Sequence, residues 1–114
     1  MERILEFKEW GYLTERNRQL ERDLLRLTRR GICTFVYRRL DGRYRVLTGT
    51  RNLDLVPSRA QLKNPDRADM FQRNANGLFS IYEVDIDDWR RFYMQRVSRI
   101  ISAEDEDGNR LSIG

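Results

Sequence analysis

Arginine is the residue type with the most chemistry in this sequence. Of its 22 basic residues only Lys8 and Lys63 are lysines, and the guanidinium is the side chain whose planar fork pairs bidentately with phosphate oxygens and stacks on flat rings. Arg38, Arg43, Arg45 and Arg51 are interleaved with Phe35, Tyr37 and Tyr44. That combination suits single-stranded nucleic acid, because the cations neutralise phosphates while the aromatic faces accept bases. A plainer reading of the same stretch puts Phe35 and one tyrosine in a core and leaves the arginines as solvated strand positions. Strand alternation favours it for Phe35, since Cys33, Phe35 and Tyr37 share one face. Further along, Trp89 and Phe92 read as core anchors that force Arg90 and Arg91 to the surface. Codon bias in a GC-rich genome would also raise the arginine count, but it does not dictate where the charges fall.

Other chemistries lack their residues. Glu83, Asp85, Asp87 and Asp88 resemble the acids of a metal-dependent nuclease, yet the sequence has no histidine at all and no lysine near them. General acid-base and zinc chemistry therefore lose their usual players, and a negatively charged turn is the better account. Glu104 to Asp107 is no calcium loop, because its glycine comes too early and no bidentate Glu follows. No phosphate-cradling glycine loop or nucleophile motif is present. Cys33 is the only cysteine, which excludes an internal disulfide and a CxxC redox pair. Within the apolar run from Ile32 to Val36 it reads as packing rather than a reactive thiol. The expectation is a protein with no catalytic residues, no metal and no cofactor.

The elements that must position the arginines follow from periodicity. At 114 residues, 39% hydrophobic and 35% charged, the chain has material for one core and a heavily solvated exterior. From Leu13 to Arg30 it reads as an amphipathic helix: at about 100° per residue, Leu13, Leu20, Leu24 and Leu27 form one narrow seam, with Arg18, Arg22, Arg26, Arg29 and Arg30 opposite. Gly31 is placed to end that helix in left-handed geometry. The seam must be buried somewhere, against the same chain, a partner helix or a second copy. Upstream, Ile4, Leu5, Phe7 and Trp10 fit either a short helix or a strand.

After Gly31 the period becomes that of strands. Ile32 to Arg39 and Tyr44 to Thr50 flank Asp41-Gly42, a pair favoured in hairpin turns. Residues 51–77 carry breakers, with room for a helical turn or two from Arg67 to Arg73. Leu78 to Val84 and Trp89 to Ile101 restore strand character, and Asp107-Gly108 suggests a last hairpin. The fold class expected is α+β: a helical N-terminal arm over residues 1–31, then a five- to six-stranded SH3-like or Sm-like β-barrel over 32–114 with an acidic C-terminal hairpin. No apolar run reaches the length of a membrane span, and the first residues break their hydrophobic positions with acids, so a cytoplasmic protein is expected.

Charge is distributed by segment. Residues 16–30, 31–51 and 89–100 are each strongly basic, whereas 67–88 and 101–114 are acidic. A fold can bring the basic segments together or set them against the acidic ones, and sequence alone leaves both open.

The stretch from Thr34 to Asn52, with its Phe35, Tyr37, Asp41-Gly42 and Gly49-Thr50-Arg51-Asn52, resembles a family of small, mostly phage-encoded, WYL-like Sm-type barrels. Leu55-Val56-Pro57, Tyr82 to Asp85 and the Asp85, Trp89-Arg90, Phe92 ending extend the likeness over about residues 32 to 101, leaving the helix outside it. The resemblance implies a barrel that binds nucleic acid or a nucleotide-like ligand, often in transcriptional regulation. It implies ligand contact by the positions matching Arg45, Arg90, Arg91 and Arg96. No Trp-Tyr-Leu triplet and no helix-turn-helix is apparent. The candidate binding residues are thus Arg38, Arg43, Tyr44, Arg45, Arg51, Arg90, Arg91 and Arg96. RNA or single-stranded DNA is favoured over a specific duplex. The alternatives are a nucleotide sensor or anti-defence sponge, with a closed pocket of few arginines, and a protein adaptor or virion component using the Leu seam.

Overall fold

The computed structural model describes residues 14–61 and 78–113. A helix, α1 (Thr14–Arg30), leads into β1 (Ile32–Arg38) and β2 (Tyr44–Thr50). A 3-10 turn (Leu53–Leu55) and one helical turn, α2 (Ser58–Gln61), follow. Then come β3 (Leu78–Glu83), β4 (Asp88–Tyr93), a second 3-10 turn (Met94–Arg96) and β5 (Val97–Glu104). Leu13, the N-terminal residues through Trp10 and the expected turn from Arg67 to Arg73 lie outside the described residues. The strands make one antiparallel sheet in the order β4-β3-β2-β1-β5.

That order requires curvature. β4 and β5 are opposite edges of the sheet, four strand spacings or about 19 Å apart if it were flat. Only three residues separate them, and Tyr93 to Val97 spans at most about 14 Å when extended. The sheet must therefore curl until its edges approach, which makes it a small barrel. The α+β expectation with five strands holds, and the sixth is reduced to an isolated bridge between Glu104 and Arg110.

Both Asp-Gly pairs build the same turn. In the β1–β2 hairpin Arg39 N–H donates to Arg43 O at 2.7 Å and Gly42 N–H to Arg39 O at 2.9 Å, with Gly42 at φ +89°. In the tail Asp105 N–H donates to Asn109 O at 2.8 Å and Gly108 N–H to Asp105 O at 3.0 Å, with Gly108 at φ +81°. Each is a three-residue loop ending on a left-handed glycine, a conformation that side-chain-bearing residues resist.

The Leu seam faces inward on the chain's own barrel. Leu24 and Leu27 are fully buried among Phe35, Leu47, Ile81, Phe92 and Val97, and Leu20 packs against that cluster. The seam is thus filled from within rather than left for a partner helix. The arginines at 18, 22, 26, 29 and 30 are exposed as expected. The helix end is received by β2: Thr50 Oγ1 donates to Gly31 O at 2.7 Å and to Thr28 O at 3.2 Å, and Arg51 N–H donates to Thr28 O at 2.7 Å. These bonds satisfy carbonyls that a helix C-terminus leaves without partners. Gly31 departs from expectation, since positive φ occurs only at Gly42, Gly108 and Asp87 among the described residues. It is required for space instead, because a Cβ there would lie 1.9 Å from Glu104 O.

Two measurements check this core. Leu24→Ala should cost about 2–5 kcal/mol, as for a fully buried leucine, read as a lower urea midpoint. Burial pushes the Cys33 thiol up to about 12, so it should not react with a disulfide reagent at pH 8 until the protein is unfolded.

Candidate nucleic-acid interface

The topology answers where the charges go. In the antiparallel barrel, the β1–β2 turn, the end of β4 and the 3-10 turn before β5 meet at one end, which carries Arg38, Arg39, Arg43, Arg91 and Arg96 together with Asp41. The tail turn, with the acids 104–107, lies at the other end of β1, as the pairing of Ile32 with Glu104 shows, and the acidic β3–β4 turn leaves the sheet beside β2, where Glu83 pairs with Gly49 and Val84 N–H donates to Thr48 O at 3.0 Å. The hairpin arginines and the acidic tail turn are thus set at opposite ends of β1, whereas the basic end of α1, with Arg29 and Arg30, joins β1 beside the tail turn.

At the basic pole lies a groove of about 370 Å³ lined by Tyr37, Arg38, Arg39, Leu40, Asp41, Arg91, Phe92, Tyr93 and Arg96. Its floor is the outer end of the core's aromatic stack: Tyr37 and Phe92 have ring centroids 6.0 Å apart, and Phe35 and Phe92 5.2 Å. Its rim is guanidinium. Arg96 Nη1 donates to Arg39 O at 3.2 Å, tying the 3-10 turn to the hairpin, and Arg39 lies 3.6 Å from the Asp41 carboxylate. An apolar, partly aromatic floor below four arginines can take a flat ring while its rim holds phosphate oxygens.

The candidates divide into three groups. Arg38, Arg91 and Arg96 meet at this groove. Arg43 and Tyr44 are exposed on the same hairpin but outside the groove lining. Arg45, Arg90 and Arg51 do other work. Glu83 is only 2% exposed, and each of its oxygens accepts from one arginine: Oε2 from Arg45 Nη2 at 2.6 Å and Oε1 from Arg90 Nε at 3.2 Å. A carboxylate taken out of water requires such partners. Arg45 also donates to Tyr37 Oη at 3.2 Å. That bond first, and Glu83 after it, hold the Arg45 guanidinium above its ordinary value against the opposing effect of burial. Arg51, at 1% exposure, is inside the protein and is no surface contact, because its position just after β2 lies under the end of α1.

The acidic β3–β4 turn is tied up internally as well. Asp87, in left-handed geometry at φ 52°, accepts from the Tyr82 hydroxyl and pairs with Arg59. Trp89 is buried with Tyr82, Val56 and Ala60, and its Nε1 donates to Ala60 O at 2.6 Å. Trp89 and Phe92 are both core residues. Among the described residues, no group of three or more His, Cys, Asp or Glu is placed to hold a metal ion. No helix among them is long and apolar enough to cross a membrane.

Arg39, Tyr93 and Arg99 were missed as candidates. Arg39 directly follows Arg38 in the hairpin, and the signal for it was its position past the last strand pair, where alternation no longer assigns an inner face. Tyr93 had a signal too, as the last aromatic of β4, one residue past Phe92.

A five-stranded antiparallel sheet of this order, curled on a helix and turned between its edges by a 3-10 turn, defines a small Sm-like, SH3-like barrel. The family model described as WYL_2, Sm-like SH3 beta-barrel fold, matches residues 22–98, and the chain belongs to that family. The match begins at Arg22, so the second half of α1 belongs to the family unit, contrary to the expectation that the helix lies outside it. Leu24 and Leu27 explain this, since the barrel core is incomplete without them. No curated protein and no solved structure matches the chain.

Glu83→Ala should lower stability by about 2 kcal/mol. That is less than the ~3–5 kcal/mol of a wholly buried pair, because Arg45 and Arg90 keep contact with solvent. Urea unfolding checks it, and Arg110→Ala in the tail should leave the midpoint within about 0.5 kcal/mol of the parent.

Proposed function

We propose that this chain is a non-enzymatic nucleic-acid-binding module that holds single-stranded RNA or DNA at its basic pole, chiefly through phosphates. The observation that carries this reading is the convergence of Arg38, Arg39, Arg91 and Arg96, from the hairpin, from β4 and from the β4–β5 connection, on one groove with an aromatic floor. Arginines so placed neutralise a phosphate backbone without reading sequence. The lack of histidine supports a binding role over catalysis. Modulation of transcription by a phage-derived protein in the host cytoplasm is the setting that the resemblance of the hairpin and the Trp89 ending suggests. With Leu24 and Leu27 in the chain's own core, the adaptor and homo-oligomer readings lose the surface that motivated them.

One observation favours a second reading. A volume of about 370 Å³ falls in the range of small-molecule sites, so the groove also suits a single nucleotide, as in a sensor or sponge.

Fluorescence anisotropy of a labelled single strand at two salt concentrations tests the proposal. Binding should weaken as salt rises. Arg39→Ala with Arg91→Ala should weaken it further and reduce the slope against log salt by about 1.4, or ~0.7 for each phosphate that is no longer neutralised. Arg110→Ala, at the opposite pole, should change neither. If no strand binds at low salt, the reading fails, and saturable binding of a nucleoside phosphate by calorimetry would put the second in its place.

A further inference from the structure

The outer face of the sheet, away from the core, presents an arrangement that the groove does not use. Strand pairing sets Arg38 opposite Tyr44, and beside them Val36 between Val46 on β2 and Arg99 on β5. Tyr44 is 65% exposed and Val46 55%. Ile101, the extra residue where the β1–β5 register shifts between Thr34 and Phe35, is exposed nearby. The next row is neutral, with Thr34 and Thr48 sharing a hydrogen bond at 2.9 Å opposite Ser102. The first acid on these rows is Glu104, paired with Ile32 at the far end of β1. Among the described residues the guanidinium groups of Arg38, Arg43 and Arg99 make no ion pair or hydrogen bond, whereas those of Arg45, Arg59 and Arg90 are matched to carboxylates.

We infer that this face is a stacking platform that continues the binding site, with Tyr44 receiving an unpaired base and Arg99 and Arg38 holding the flanking phosphates. The inference rests on the nucleic-acid reading above and extends it from a groove to a track. Three observations select the occupant. A second copy meeting this face would set Arg38, Arg43 and Arg99 against their own counterparts, which opposes self-association. An exposed tyrosine ring on a flat, half-apolar strand surface is what an unstacked base requires, and a base paired within a duplex cannot offer its face to it. Arg38 lines the groove and is also the strand partner of Tyr44, so the two regions are continuous. A strand leaving the groove past Arg38 meets Tyr44 next, then Val46 and Val36, and reaches Arg99 on β5.

The test uses the full chain with labelled dT12, an unlabelled 12-base-pair duplex and polyaspartate. Tyr44→Ala should weaken dT12 binding about tenfold, in line with the removal of one base stack, and leave the salt slope unchanged because no charge is removed. Tyr44→Phe, which keeps the ring, should bind as the parent does. Arg99→Ala should reduce the slope by about 0.7. Since Tyr44 and Arg99 are exposed, thermal midpoints should stay those of the parent, which separates a weakened site from an unfolded protein. The platform is overturned if Tyr44→Ala binds dT12 as tightly as the parent while Arg39→Ala with Arg91→Ala still loses affinity. In that outcome the groove reading survives alone. It is overturned equally if the duplex or polyaspartate competes as well as unlabelled dT12, since the surface would then be reading charge only. Absence of dT12 binding by the parent removes the groove and the platform together.

Discussion

Three residues, Met94 to Arg96, carry the chain from one edge of the sheet to the other, and the rest of the structure depends on that short passage. A flat sheet would set β4 and β5 farther apart than the connection can reach, so the sheet curls. Curling turns one face of every strand into a core, which is why Phe35, Leu47, Ile81, Phe92 and Val97 meet although they come from five different strands. It also leaves an interior that the strands do not fill alone, and α1 supplies Leu24 and Leu27 to it. The same 3-10 turn is part of the groove: Met94 is buried in the core and Arg96 reaches the hairpin backbone. The passage that closes the barrel therefore also assembles the basic pole.

Glu83 shows what the barrel costs where it is left open. β2 and β3 are paired at Gly49 with Glu83 and Thr50 with Tyr82, and Val84 N–H donates to Thr48 O at 3.0 Å, so the two strands are offset and overlap only near their C-terminal ends. Glu83 sits at this junction, buried, and draws Arg45 from one side and Arg90 from the other. These two arginines supply the partners that a carboxylate taken out of water requires. The Tyr37 bond to Arg45 joins this network to the floor of the groove, so the geometry beneath the binding residues is held by charge as well as by packing.

Most of the fold was legible in the sequence, because its signals are local. The period of the Leu seam, the change of period after Gly31 and the two Asp-Gly turns each act within a few residues and agree with one another. Gly31 misled for the opposite reason: what demands glycine there is Glu104, far along the chain, and no local pattern reports it. The binding candidates divided along the same line. Arg38, Arg91 and Arg96, singled out by residue type and neighbourhood, are the ones that line the groove. Arg45, Arg90 and Arg51 look identical to them in sequence, and their different fate is decided by a buried carboxylate and by the end of a helix, both tertiary facts. Arg99 gave no signal, since its value lies in being opposite Val36.

The sorting of charge changes how the net +4 should be understood. β1 has seven residues, about 23 Å of strand, and the basic hairpin and the acidic tail turn lie at opposite ends of it. At physiological salt the screening length is about 8 Å, so each pole acts on an approaching ion almost independently of the other. The arginines around the groove are therefore not offset by the acids of the tail turn, although both enter the same total. Arginine in place of lysine then matters at contact, where a planar, weakly hydrated cation beside Tyr37, Tyr93 and Tyr44 can serve a phosphate and a ring at once. Charge localised by topology, and not a high overall charge, is what gives one end of so small a barrel its cationic rim.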